Sequence, residues 1–101
     1  MNTAKWRKLI HRLREDFPTE GVVNVRRAKM KRNFGVTRRD GKNYFIRVCS
    51  DQSWSIQVET LAHEWAHVQA IELAYTHSKL WGSVYSDIYR LVIGEQPRTN
   101  Y

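Results

Sequence analysis

The chain has 101 residues, 42% of them hydrophobic and 12% aromatic, which suits one globular domain over residues 1–101 and excludes both intrinsic disorder and a second domain. A lone cysteine, Cys49, excludes an internal disulfide or a cysteine-rich zinc ribbon, and no apolar run is long enough to span a bilayer or to follow the charged N-terminus as a signal peptide; a cytoplasmic protein is the expectation. The net charge is +7 and uneven, with fourteen Lys and Arg against four Asp and Glu in residues 1–47, and three against six in residues 48–101.

The first predicted element is an amphipathic helix over residues 3–17. Trp6, Leu9, Ile10, Leu13 and Phe17 recur at helical spacing, and Lys5, Arg7, Lys8, Arg12 and Arg14 fill the other face. Asn2 or Thr3 can cap it, Pro18 stops it, and His11 reads as a surface histidine. Residues 21–49 alternate as strands: Val23 and Val25, a short run from Val36, then Tyr44, Ile46 and Val48. Asp40-Gly41 between the last two is a hairpin signal, because type I′ turns need positive φ at both central positions. The simplest arrangement is a three-stranded antiparallel sheet, with Gly35 marking a bulge. Cys49 ends the third run as a small, half-buried hydrophobe.

A central helix is predicted over 54–75, capped by Asp51 or Ser53, with apolar residues on nearly every side. A last helix is predicted over 78–93, with Trp81, Val84, Tyr85, Ile88, Leu91 and Val92 facing inward, ended by Gly94 with Pro97 beyond. The fold class is α+β.

The chemistry lies in His63-Glu64-Trp65-Ala66-His67. Histidines four apart on a helix share one face, and two neutral imidazoles so placed can grip one side of a tetrahedral zinc ion. The glutamate after the first histidine reaches the attacking water rather than the metal, which makes Glu64 the candidate general base of a zinc-dependent peptidase. Three ionisable groups inside an otherwise apolar helix would cost several kcal/mol if buried without partners, and a metal site would satisfy all three.

Catalytic zinc usually takes three protein ligands and keeps one position open. His77 is the first candidate for the third. On one straight helix it would lie about 15 Å beyond His67, so the chain must turn near Tyr75-Thr76 to return it. Asp87, on the last helix, is the competing carboxylate. Glu72 points round the helix and reads as a partner for Lys or Arg. Tyr85 could face a developing oxyanion but reads more simply as a core aromatic, and Trp65 and Trp81 read as packing residues.

The stretch ETLAHEWAHVQAIELAYTHSKLW resembles the SprT-like metallopeptidases and the wider minimal zincins called minigluzincins. There, a helix carries His-Glu-x-x-His, and a third histidine opens the next helix with a bulky aromatic four residues on; His77 and Trp81 match that pattern. The resemblance implies a minimal zincin-like domain with one zinc ion on His63, His67 and His77, and an endopeptidase acting on protein or peptide substrates, including DNA-associated proteins. The chain departs from the family in the short interval from His67 to His77 and in Ser78, where glycine commonly follows the third histidine. Zincin substrates commonly pair with an edge strand beside the active-site helix, and Asn43–Cys49 is the candidate edge. The alternative is a non-enzymatic, zinc-containing module that binds nucleic acid through its basic N-terminal half.

Overall fold

The computed structural model describes residues 3–72 and 86–91. Its elements run α1 (Thr3–Asp16), β1 (Val22–Ala28), β2 (Gly35–Asp40), β3 (Asn43–Cys49) and α2 (Trp54–Glu72), and residues 86–91 are helical. The α+β class holds. Among the described residues, no helix is long and apolar enough to cross a membrane.

α1 forms as its periodicity predicts. Trp6, Leu9, Ile10 and Leu13 are its buried residues. After its last turn the Phe17 N–H still donates to the Leu13 carbonyl at 2.8 Å, and Pro18 prevents further propagation. Trp6 meets Trp54 edge to face with ring centroids 6.0 Å apart, and the Arg27 guanidinium covers the Trp6 ring at 4.7 Å. One cluster joins α1 to Val23, Tyr44, Ile46 and Val48 of the sheet, to Val58, Leu61, Trp65 and Val68 of α2, and to Ile88.

The sheet corrects the predicted antiparallel arrangement. Its order is β1-β3-β2, with β3 parallel to β1 and antiparallel to β2. The hairpin between β2 and β3 stands as expected. Asp40 pairs with Asn43, so the two turn residues are Gly41-Lys42 rather than Asp40-Gly41, and Gly41 takes φ 62°. The error lay in assuming that β1 would neighbour β2. Instead the loop 29–34 carries the chain across the end of β3, and β3 fills the middle. Burial explains the choice: Tyr44, Ile46 and Val48 are at most 2% exposed, whereas β1 and β2 carry paired arginines, which edges tolerate and centres do not. Consequently Asn43–Cys49 is not an edge strand and cannot receive an added strand.

Gly35 is likewise not a bulge. It opens β2 in continuous register, opposite Val48. A Cβ there would strike Thr60 Cγ2 and stand 3.3 Å from Glu64 Cγ. The glycine therefore lets the β2 backbone lie directly against α2.

Ser53 is the residue that caps α2, its Oγ accepting from the Ile56 N–H at 3.3 Å. Buried Gln57 anchors the same turn by donating to the Gln52 carbonyl at 2.7 Å. Trp65 is a packing residue, fully buried, with its indole N–H donating to the Phe17 carbonyl at 3.1 Å. Cys49 is buried, as a small hydrophobe should be, and His11 sits on the surface against Glu15 at 3.3 Å. The predicted helix residues 73–75 and most of 78–93 lie outside the described residues.

Candidate metal centre

α2 is not enclosed on every side. Ser55, Glu59, His67 and Ile71 are exposed and His63 is half-buried. These five residues recur every four positions, so they form one stripe along the helix. The sheet covers one flank of the stripe, and the core shared with α1 and Ile88 lies behind it. Both histidines thus lie on the open stripe, and only Glu64 is buried. The burial penalty expected for three ionisable groups applies to the glutamate alone.

The histidine pair has a specific geometry. His63 Nε2 and His67 Nε2 are 3.2 Å apart, with the rings edge to face at 78°. Two nitrogen ligands of a tetrahedral zinc, each about 2.0–2.1 Å from it, stand about 3.3 Å apart. The pair fits one side of such an ion with little adjustment, and the same separation accommodates an N–H···N hydrogen bond between the rings. Burial, and next the neighbouring His63, push the His67 pKa below 6.5, while Glu64 opposes them. The neutral imidazole that a metal requires is thereby favoured.

Glu64 points off the stripe toward β2. Its Oε1 accepts a hydrogen bond from Thr37 Oγ1 at 2.5 Å, and Gly35 lies against its Cγ. Among the described residues nothing donates to Oε2. A cleft of about 380 Å³ begins here, lined by Phe34, Gly35, Ile56, Thr60, His63 and Glu64 among others. Its floor is helical and its rim is the start of the β2 edge.

The remaining candidates separate cleanly. Asp87 is exposed and accepts from Arg90 at 3.1 Å. Among the described residues, no group of three His, Cys, Asp or Glu side chains could hold a metal ion, so Asp87 is not brought to the histidine pair. Among the described residues, Glu72 has no Lys or Arg ion-pair partner. Its two oxygens accept the backbone N–H groups of Glu20 and Gly21, each at 2.8 Å, tying the loop before β1 to α2. His77, Trp81 and Tyr85 lie outside the described residues.

Sequence reasoning did not find Thr37. Alternation along β2 places Gly35, Thr37 and Arg39 on one face, but only the strand order shows that this face meets Glu64. No protein-family model, no curated protein and no solved structure matches the chain.

Proposed function

We propose that the chain is a zinc-dependent endopeptidase with a minimal zincin-like, SprT-like catalytic core, acting in the cytoplasm on protein or peptide substrates. The observation that carries this reading is the 3.2 Å separation of His63 Nε2 and His67 Nε2 beside a buried glutamate that, among the described residues, is held on one carboxylate oxygen. A surface histidine pair with no role does not call for a buried, oriented carboxylate one residue away.

His63 and His67 would hold the ion, with His77 as the third ligand implied by the resemblance. Bound zinc supplies a Lewis acid that acidifies a water molecule and polarises the scissile carbonyl. The protein's own part is proton transfer. Thr37 occupies Glu64 Oε1, which leaves Oε2 to take a proton from the attacking water as its oxygen bonds to the carbonyl carbon. The same carboxyl returns that proton to the leaving amine as the C–N bond breaks. β2 borders the cleft and has a free outer edge among the described strands, so an extended peptide can pair with its backbone there.

Metal analysis and cleavage of an unstructured protein substrate test the reading together. The purified chain is expected to carry close to one zinc per molecule, and Glu64→Gln to keep the zinc and lose hydrolysis. Equal cleavage by wild type and Glu64→Gln would falsify it.

A further inference from the structure

Among the described residues, the helices pack on one face of the sheet and leave the other open. The register defines what the open face displays. One row across the three strands is Arg26, Arg47 and Val36, and the next is Asn24, Phe45 and Arg38. Arg26, Arg38 and Arg47 are exposed and Phe45 is half-buried. Together they line a shallow groove of about 610 Å³.

Two features of this face are unusual for a surface that only needs to be wet. Arg26 and Arg47 stand directly side by side in the register, a like-charge juxtaposition that destabilises a sheet. No Asp or Glu pairs with either of them, or with Arg38, among the described residues. In the middle, Phe45 presents an aromatic ring, with the Arg38 guanidinium 5.1 Å from its centroid. The exposed Lys29, Lys31 and Arg32 follow β1 immediately, at the end of the sheet where the two paired arginines lie. Among the described residues, the one acidic group on the face, Asp40, is at the opposite end, opposite Asn43.

We propose that this open sheet face binds single-stranded nucleic acid. Its three arginines would contact phosphates, and Phe45 would stack one base. A charged groove that tracks a backbone and an aromatic that stacks an unpaired base are the two parts such recognition needs. Duplex DNA is the poorer fit, because its bases are already stacked on one another and offer Phe45 no free ring face. The surface lies on the opposite side of the sheet from α2, so its test does not depend on the metal site.

The test is fluorescence anisotropy of a labelled thymidine oligonucleotide with the full chain, at salt concentrations from about 50 to 200 mM. Three phosphate contacts predict a log–log salt slope of about −2, and each of Arg26→Gln and Arg47→Gln should lower that slope by about 0.7. Phe45→Leu keeps an apolar side chain but removes the flat ring. It is expected to weaken binding about tenfold with the salt slope unchanged. Lys5→Gln with Lys8→Gln removes two charges from α1, one more than either arginine variant removes, and is expected to leave binding intact. The proposal is overturned by no binding at the lowest salt, by duplex bound as tightly as single strand, or by Phe45→Leu binding as wild type does. It is equally overturned if the α1 variant loses as much affinity as the arginine variants. Circular dichroism of each variant separates lost binding from lost folding.

Discussion

Thr37 on an edge strand donates its hydroxyl hydrogen to Glu64 on the central helix at 2.5 Å, across a sequence separation of 27 residues. This bond connects the sheet to the His63–His67 motif of the helix. It fixes one oxygen of a buried carboxylate and so determines where the other one points.

Thr37→Val keeps the shape of the side chain and removes the donor. A hydrogen bond to a charged group contributes about 1.5–3 kcal/mol, so a stability loss of that order is expected in denaturant unfolding. If Glu64 is the general base, kcat should fall about tenfold or more with little change in KM, and Thr37→Ser should restore most of it. A Val variant with wild-type kcat and wild-type stability would show that the bond orients nothing.

Gly35→Ala should destabilise the protein by about 1–3 kcal/mol, the usual range for overpacking, because the new methyl meets Thr60 Cγ2. Thr60→Ser removes that atom. The double variant should therefore lose less stability than the sum of the two single variants, a coupling readable in a double-mutant cycle. Strict additivity would mean that β2 yields instead of the helix.

The His67 pKa is lowered from 6.5, first by burial and then by His63. Between the lowered folded value and the unfolded value, the unfolded chain binds more protons, so stability rises with pH. Read downward, the contribution is intact above about pH 6.5 and is lost as pH falls through the folded value. Unfolding of the chelator-treated protein as a function of pH should show this slope, and His67→Gln should flatten it. An unchanged slope in the variant would assign the titration to another group.

Removing metal ligands should separate His77 from Asp87. His63→Ala and His67→Ala are expected to lose zinc. His77→Ala should lose it as well, while Asp87→Asn, whose wild-type carboxylate is engaged by Arg90, keeps it. A metal that binds only the folded chain raises Tm by mass action, so the chelator should lower Tm in wild type and in Asp87→Asn alone. Full zinc in His77→Ala would remove His77 from the site.

Much of the fold is legible because helices are local. The spacing of Trp6, Leu9, Ile10 and Leu13 defines α1, and Ser53 with the apolar residues after it defines the start of α2. The β2–β3 hairpin follows from Gly41, since a two-residue turn needs a residue that accepts positive φ. The placement of β1 is not legible in this way. Alternation says which residues share a face of a strand, but it carries no information on which neighbour lies beside it or in which direction. The burial of Tyr44, Ile46 and Val48 on one face of β3 settles that, and it moved the free edge from β3 to β2.

The candidate site divides along the same line. His63, Glu64 and His67 are determined by the sequence alone, because a helix of 3.6 residues per turn brings positions four apart together wherever it lies. The tertiary structure decided which of the three is buried. It left both histidines on the one open stripe of α2 and turned Glu64 inward to Thr37. It also grouped Arg26, Arg38, Arg47 and Phe45 on one surface. Such relationships depend on strand order and on the side of the sheet that the helices cover. Both are fixed by the burial of the whole chain and by no single segment of it.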